Sequence, residues 1–221
     1  MKENLVVITG GTSGLGLELV KLFKRNNKVL VISRKKKDEL DGVIYAYGNV
    51  ADEEFLKKLY SMLSKDYNIS YLINNAGSGA FVSPEENDLE KINQVISSNL
   101  VGLILNTTYA LPLMKENGGK IVNVMSTAAL KGNVNESLYC ASKWGAKGYT
   151  ESLKATFKGT KIKVVGVYPG GMNTAFWNGN RGYVPEEKSA KWLNPADVAS
   201  VVFESVTNDK VSIADVVIER V

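Results

Sequence analysis

The sequence contains no histidine, and among its 221 residues it has one cysteine, Cys140. Without histidine, a Ser-His-Asp triad, a Cys-His pair and a histidine-ligated metal site are all excluded. A single cysteine likewise excludes an intrachain disulfide and a thiolate metal cage. We therefore expect no metal site. Any acid–base chemistry near neutral pH must use a tyrosine, a lysine or a carboxylate with a shifted pKa.

Long apolar runs are also absent, since none approaches the roughly 20 residues that a membrane helix needs. The first apolar stretch ends at Thr9-Gly10-Gly11, which is too short for the core of a signal peptide. The net charge of +4 is modest, and apart from Arg34–Lys37 the lysines are spread along the chain. We expect a cytoplasmic protein whose partner is neither a membrane nor a nucleic acid.

No linker, low-complexity tract or internal repeat divides the chain, so one domain over residues 1–221 is the simplest account. Apolar runs of strand length alternate with longer segments of helical period, which predicts a doubly wound α/β fold with a parallel sheet of about seven strands. The predicted strands are Asn4–Thr9, Lys28–Ser33, Val43–Tyr47, Ser70–Ile73, Lys120–Met125, Lys161–Val167 and Ile213–Ile218. The predicted helices are Gly14–Arg25, Asp52–Ser64, Leu89–Lys115, Tyr139–Phe157 and Pro195–Val206.

One irregular segment, Ala175–Leu193, breaks this alternation. It contains Phe176, Trp177, Tyr183 and Trp192 among polar residues and has no clear period. A long irregular segment inside a compact domain is usually functional, which favours a substrate loop or lid at about 175–193. The alternative is an ordinary surface excursion whose aromatic side chains pack down onto the domain.

The first predicted strand runs directly into the glycine-rich turn Thr9–Gly16, which is followed by a helix. Such a turn directs free backbone N–H groups and the positive end of the helix dipole toward an anion. The spacing Gly-x-x-x-Gly-x-Gly differs from both the common dinucleotide fingerprint and the P-loop, so the turn by itself also fits one that merely starts a helix. The candidate anion-binding residues are Gly10, Thr12, Ser13, Gly14, Leu15 and Gly16.

The second predicted strand ends in Ser33-Arg34, and no carboxylate follows until Asp38. In dinucleotide folds an acidic residue at this place holds the ribose hydroxyls, whereas a basic residue suits a 2′-phosphate. A guanidinium binds phosphate through two parallel hydrogen bonds. We therefore expect NADP in preference to NAD, unless Arg34–Lys37 is only a solvated basic turn.

Tyr139 and Lys143 lie four residues apart, which places both side chains on one face of a helix. A nearby ammonium favours the phenolate, so the pair is suited to bring a phenol pKa of about 10 toward neutrality. This spacing also occurs by chance on exposed helices. Ser126 adds context, because it ends a predicted strand on the edge where ligands bind in such sheets. It is either a substrate hydrogen-bond partner or a turn hydroxyl.

The order and spacing of six short motifs resemble those of the short-chain dehydrogenase/reductase family across essentially the whole chain. This resemblance implies a single-domain, Rossmann-type fold and a small-molecule carbonyl or alcohol substrate. The motifs are Thr9–Gly16, Asn74-Asn75-Ala76-Gly77, Asn99 in Ser98–Gly102, Ser126, Tyr139-x-x-x-Lys143, and Pro169-Gly170 followed by Thr174.

The resemblance also implies a role for each motif. Tyr139 would be the general acid for carbonyl reduction and the base for alcohol oxidation. Lys143 would lower the pKa of that phenol and bind the nicotinamide ribose, Ser126 would hold the substrate oxygen, and Asn99 would help to hold a water in a proton path. The remaining implied cofactor contacts are Asn75, Ala76, Gly77, Pro169, Gly170 and Thr174.

Two departures from the family pattern affect the cofactor site. The Asp-Val pair that often contacts adenine is Asn49-Val50 in this sequence, and an asparagine still offers a donor and an acceptor. Ser13 stands where many NADP-preferring members have a basic residue, which leaves phosphate recognition mainly to Arg34. Family resemblance further implies a homodimer or homotetramer, paired through the long helices around Asn99 and Tyr139.

Two other functions remain open. A regulator that only senses NADP needs the glycine turn but no aligned phenol and ammonium, and a sugar-nucleotide epimerase or dehydratase usually has a larger substrate domain. The expected substrate pocket is apolar and aromatic, which suits a small ketone, a 3-oxoacyl group or a ring carbonyl. Its predicted residues are Phe81, Leu130, Met172, Phe176 and Trp177, with Arg181 nearby.

Overall fold

The computed structural model describes residues 2–37, 39–177 and 192–221, and in them seven parallel strands form one sheet. The strand order is β3-β2-β1-β4-β5-β6-β7, so the direction of winding reverses between β1 and β4. This confirms the predicted doubly wound parallel sheet, whose ligand crevice lies at the reversal point. The strands are β1 Glu3–Thr9, β2 Lys28–Ser33, β3 Val43–Tyr47, β4 Tyr67–Asn74, β5 Gly119–Val124, β6 Ile162–Pro169 and β7 Asp215–Ile218.

Helices cover both faces of the sheet. Three of them begin at a capping side chain, because Asp52, Asp88 and Asn194 each accept a hydrogen bond from a backbone N–H of the first turn. The α-helices are α1 Gly14–Phe23, α2 Glu53–Asp66, α3 Leu89–Ile96, α4 Gly102–Ala110, α5 Ser137–Thr156 and α6 Pro195–Thr207.

The sheet has an apolar core on each face because neighbouring side chains of a strand point to opposite sides. In β1, Val6 and Ile8 pack in the layer that contains α1 and α6. Leu5 and Val7 pack in the layer that contains residues of α2, α4 and α5. All four side chains are fully buried, and each such burial contributes about 1.5–3 kcal/mol. Burial on both faces explains why the strands read as nearly continuous apolar runs.

The single helix predicted over Leu89–Lys115 is interrupted in the structure. After α3, a π-helical turn occupies Ser97–Val101, and after α4 a 3-10 turn at Leu111–Leu113 ends the segment. A π-turn carries one extra residue per hydrogen-bonded ring, and such turns often occur at functional sites. Here it lies around the buried Asn99. The spacing of apolar residues in the sequence does not reveal this change from α-helical to π-helical winding.

The other predicted boundaries lie within two residues of the observed ones, except that β4 begins three residues earlier, at Tyr67. The predicted loop at about 175–193 is described only at its ends. A 3-10 turn covers Ala175–Trp177, and Leu193 pairs with Met172 in an isolated parallel bridge. Tyr183 and the rest of the loop lie outside the described residues. In the part of the chain that is described, no helix is both long and apolar enough to span a bilayer.

We expect Gly16→Ala to lower the free energy of unfolding by about 1–3 kcal/mol, because a Cβ at Gly16 would lie 2.3 Å from the carbonyl oxygen of Gly10. The matched control is Gly132→Ala, where no heavy atom lies within 4 Å of the new Cβ. That variant should change stability by less than about 0.5 kcal/mol. Urea unfolding measures both, and equal values for the two variants would contradict the close packing of the turn.

Candidate functional site

The glycine-rich turn has the backbone shape needed to approach an anion. Gly10 and Gly14 have φ angles of 69° and 52°, in the left-handed region that side chains disfavour. Ser13, the N-cap of α1, makes no side-chain capping hydrogen bond. Gly14, Leu15 and Gly16 begin α1 and line the crevice, so the positive end of this helix borders it, as in other phosphate-binding turns.

Hydrogen bonds tie this turn to the end of β4. The hydroxyl oxygen of Thr9 accepts from the backbone N–H groups of Asn75 and Ala76, each at 3.0 Å. The side-chain amide of Asn75 donates to the carbonyl oxygens of Thr9 and Gly10, at 3.1 and 3.2 Å. The two strands that flank the reversal point are thus held together where the crevice opens.

The end of β2 forms a basic margin of the same crevice. The hydroxyl groups of Thr12 and Ser33 lie 3.1 Å apart and join the glycine turn to this strand. Arg34, Lys35 and Lys37 follow, and all three are exposed and line the crevice. A cationic margin of this kind is suited to an additional phosphate group.

Asn49 and Val50 also line the crevice, after the end of β3. The side-chain oxygen of Asn49 accepts from the backbone N–H of Ala51 at 3.1 Å. Val50 is buried against Gly102, where a Cβ would lie 2.7 Å from the nearest valine methyl carbon. Asn49 therefore uses its acceptor within the chain, so its amide N–H groups are what it can present to a ligand.

Ser126, Tyr139 and Lys143 come together at the carboxyl end of β5. Ser126 caps the 3-10 turn Thr127–Ala129, and its side chain lies near enough to the phenol of Tyr139 to affect the pKa of that group. The ammonium nitrogen of Lys143 lies 5.7 Å from the centroid of the Tyr139 ring and donates to the carbonyl oxygen of Val124 at 3.2 Å. Both helix residues are nearly fully buried.

Burial shifts the pKa values of this pair in directions that the sequence pattern did not anticipate. Desolvation raises the pKa of Tyr139, and the hydrogen bond from Ser126 opposes that rise only in part. Desolvation also lowers the pKa of Lys143 to about 8. Desolvation therefore dominates the pKa of Tyr139, and the lowering of this pKa expected from the Lys143 ammonium stays a prediction.

Asn99 lies behind the wall of the crevice and does not line it. Its side-chain oxygen accepts from the backbone N–H of Ser78 at 2.8 Å, and its amide donates to the Ser78 carbonyl and the Ser142 hydroxyl, each at 2.9 Å. These bonds connect the segment after β4 to α5. At Gly77, between them, a Cβ would lie 3.1 Å from the Asn99 side-chain oxygen and 3.6 Å from the Lys143 nitrogen.

The glycine-rich turn, the basic margin and the groups at the end of β5 border one cavity of about 1320 Å³. Every residue predicted to contact a cofactor lines this cavity, as does Ser126. Its volume exceeds the usual range of ligand pockets, about 300–1,000 Å³. Left-handed glycines at a helix start and a cationic margin fit the phosphates of a dinucleotide, so the residues present suit such a cofactor.

The predicted substrate residues divide into two groups. Met172, Phe176 and Trp177 line the cavity. Phe81 packs behind Tyr139, with ring centroids 5.4 Å apart, and Leu130 is 38% exposed; neither is among the lining residues. Arg181 lies outside the described residues.

Further residues at this end of the cavity escaped the sequence analysis. Glu136 had a usable signal, since it lies three residues before Tyr139 on the same helix face. The others follow distant elements and carry no local motif. These additional lining residues are Lys131, Asn133, Glu136, Glu219 and Arg220.

Comparison with known proteins finds a matching family profile and several similar dehydrogenases and reductases. The profile of the family described as short chain dehydrogenase matches residues 4–182. Sepiapterin reductase of Chlorobaculum tepidum is 26% identical, over 99% of this chain and 96% of its own. A short-chain dehydrogenase/reductase from Vibrio parahaemolyticus has a TM-score of 0.86 at 31% identity, covering 98% of this chain and 99% of its own. The closed form of serine dehydrogenase complexed with NADP+ has a TM-score of 0.87 at 27% identity, and the match covers 97% of this chain and 94% of that one.

We expect the free energy of unfolding of the wild-type protein, relative to Lys143→Met, to rise between about pH 7 and pH 10. Burial lowers the pKa of Lys143 from 10.5 to about 8 in the folded state. The unfolded chain therefore binds more protons in this window, so stability increases with pH, by at most about 3 kcal/mol. Urea unfolding of both proteins at several pH values measures the difference. A difference that stays flat would mean that the folded-state pKa is not lowered.

Proposed function

The chain belongs to the short-chain dehydrogenase family, and on this premise we propose that it is an NADP-dependent oxidoreductase that reduces a carbonyl to an alcohol or runs the reverse reaction. The observation that supports this most directly is the meeting of Ser126, Tyr139 and Lys143 in the cavity that also contains the glycine-rich turn. A phenol, a hydroxyl and an ammonium beside a dinucleotide site are the groups that carbonyl reduction requires.

In the proposed reduction, Ser126 and Tyr139 bind the carbonyl oxygen through their hydroxyl groups. As negative charge develops on that oxygen, the Tyr139 phenol transfers its proton to it. The raised phenol pKa keeps the proton in place until then. In the oxidation direction, the phenolate of Tyr139 takes the proton from the alcohol. The bound nicotinamide supplies the hydride in one direction and accepts it in the other.

Lys143 stabilises the phenolate that remains after proton transfer. A pKa of about 8 leaves its ammonium mostly protonated at neutral pH, so it offers a positive charge in a site removed from water. Asn99 is a positioning residue, because its hydrogen bonds join the segment containing Ser78 to α5. The proton path through Asn99 that the family resemblance implies stays a prediction.

The proposed cofactor is NADP rather than NAD. The glycine-rich turn would hold the pyrophosphate, and Arg34, assisted by Lys35 and Lys37, would hold the 2′-phosphate. The solved structure of serine dehydrogenase with NADP+ supports this choice by likeness. The adenosine would lie along Asn49, Val50, Asn75, Ala76 and Gly77, and the nicotinamide end along Pro169, Gly170 and Thr174.

The two alternatives are less well supported. A sensor of NADP has no need of a buried phenol and a serine hydroxyl in the same cavity. An epimerase or dehydratase of sugar nucleotides usually has a larger substrate domain, whereas the matched profile here is that of the short chain dehydrogenases. A reductase acting on a small carbonyl compound is therefore the better account.

Substrate, assembly and location stay proposals. The names of the relatives span sepiapterin, serine and carbonyl substrates, so family membership leaves the substrate open. The aromatic lining suits a small ketone, a 3-oxoacyl group or a ring carbonyl. Val101 in the π-turn and Trp144 on α5 are 37% and 48% exposed, which suits the proposed homodimer or homotetramer. The proposed location is the cytoplasm.

We expect Tyr139→Phe to lower kcat with NADPH by at least about a hundredfold, because it removes the proton donor. The Kd for NADPH, measured by fluorescence titration, should stay within about threefold of the wild-type value. Tyr149→Phe, on the same helix, is the matched control and should keep normal turnover. Normal turnover by Tyr139→Phe would instead favour the sensor.

We expect Arg34→Asp to lower the ratio of kcat/KM for NADPH to that for NADH by at least about tenfold, because the carboxylate repels a 2′-phosphate. Lys36→Asp provides a control of equal charge change. Lys36 belongs to the same basic turn but pairs with Glu39 at 3.8 Å and does not line the cavity. An equal shift in both variants would indicate general electrostatics rather than phosphate binding by Arg34.

A further inference from the structure

Three aromatic side chains line the cavity at the end where the phenol of Tyr139 lies. Phe176 and Trp177 belong to the 3-10 turn that follows β6, and Trp192 is next to the bridge residue Leu193. All three side chains are partly exposed. The ring centroids of Phe176 and Tyr139 are 5.8 Å apart. The group attached to the carbonyl carbon of a substrate therefore meets aromatic rings beside the proton donor.

Hydrogen bonds within the chain fix the position of these rings. The backbone N–H of Phe176 donates to the hydroxyl oxygen of Thr174 at 3.3 Å. The indole N–H of Trp177 donates to the carbonyl oxygen of Met172 at 3.0 Å. Thr174 also packs on the glycine-rich turn, because a Cβ at Gly14 would lie 3.1 Å from its methyl carbon. The aromatic turn is thus anchored beside the cofactor residues before a substrate binds, which reduces the ordering cost of binding.

Among the rings that the structure describes, none is stacked parallel to Phe176. Three rings contact it at interplanar angles of 74°, 57° and 84°, and these belong to Phe81, Tyr139 and Trp177. The glycine at position 79 leaves room beside the ring, since a Cβ at Gly79 would lie 3.0 Å from the Phe176 Cζ. Aromatic pairs prefer offset-stacked and edge-to-face contacts, so this arrangement suits a further flat ring.

The charged side chains at this end of the cavity are bonded within the chain or exposed to solvent. The Glu136 carboxylate accepts a hydrogen bond from the Asn133 amide at 2.9 Å. Lys131 and Glu219 lie 4.0 Å apart, and each is 64% exposed at its side chain. Arg220 is exposed as well. Because solvent and salt screen exposed charges, we expect the aromatic rings to discriminate between substrates more strongly than these charges do.

We propose that the substrate carries an aromatic ring on its carbonyl carbon, so that the enzyme interconverts aryl ketones or aryl aldehydes and benzylic alcohols. This inference rests on the proposed oxidoreductase function. The substrate ring would stack on Phe176, while the carbonyl oxygen binds Ser126 and Tyr139. In the reduction, a hydride from NADPH forms the new C–H bond, the C=O π bond breaks, and the oxygen takes the proton of Tyr139. The ketone or aldehyde is reduced and NADPH is oxidised to NADP+.

The test compares acetophenone with cyclohexyl methyl ketone, in which a saturated ring of similar size replaces the phenyl ring. In Phe176→Leu, the ratio of kcat/KM for acetophenone to that for cyclohexyl methyl ketone should fall at least about threefold from the wild-type ratio, because leucine is apolar but has no aromatic face. The intrinsic reactivities of the two ketones cancel in this double ratio. Phe157→Leu is the matched control and should keep the wild-type ratio. Phe157, the C-cap residue of α5, is also partly buried but does not line the cavity.

An unchanged ratio in Phe176→Leu, or an equal fall in Phe157→Leu, would overturn the inference and leave the proposed function intact. If the wild-type protein reduces neither ketone but reduces other carbonyl compounds, the inference fails alone. If it reduces no carbonyl compound, the proposed function fails too.

Should Phe176→Leu not fold, the wild-type protein supplies a second test with two amides that NADPH does not reduce. Benzamide should inhibit the reduction of acetophenone at least about threefold more strongly than cyclohexanecarboxamide, because only benzamide has a ring that stacks. A pocket that recognised apolar surface alone would not favour benzamide. Equal inhibition by the two amides would therefore overturn the inference.

Discussion

The hydrogen bonds between Thr9 and the Asn75–Ala76 segment are the constraint on which the site depends. At a reversal point the connections that follow two neighbouring parallel strands lead to opposite faces of the sheet, which leaves an opening at the carboxyl ends of those strands. The chain must still satisfy its backbone groups there. The Thr9 hydroxyl accepts two backbone donors, and the Asn75 amide returns two bonds to the glycine turn. The turn is thereby held open for an anion while the two strands stay in register.

Buried polar side chains also connect the sheet to α5, the helix that carries Tyr139 and Lys143. The Asn74 amide donates to Asn123 on β5, and the Asn123 amide donates to Thr150 on α5, both at 2.9 Å. The amide of Asn99 donates to Ser142 on the same helix. Buried polar groups are costly unless paired, so a small rotation of α5 would break several bonds at once. The orientation of Tyr139 and Lys143 therefore follows from contacts made outside the cavity.

Charge is distributed along the cavity in a way that matches the proposed reaction. The cationic margin near Arg34 is exposed and suited to phosphate, whereas the Lys143 ammonium is buried beside the reacting phenol. Glu136, which precedes α5 and lines the cavity, contributes to the raised pKa of Tyr139. Burial thus favours a protonated phenol, which releases its proton only to a developing oxyanion. Lys143 then stabilises the phenolate of Tyr139 that this transfer leaves.

The sequence by itself determined the sheet-and-helix alternation, the glycine turn and the Tyr139–Lys143 spacing, because each depends on residues close together in the chain. It also identified residues that line the cavity, through the ordered family motifs. Only the tertiary structure decided that Asn99 lies behind the wall in a π-turn, that Phe81 packs behind Tyr139, and that Glu136 borders the substrate end. It likewise decided that burial raises the pKa of the phenol. Burial depends on side chains from distant elements, and no local pattern records which of them exclude water from a given group.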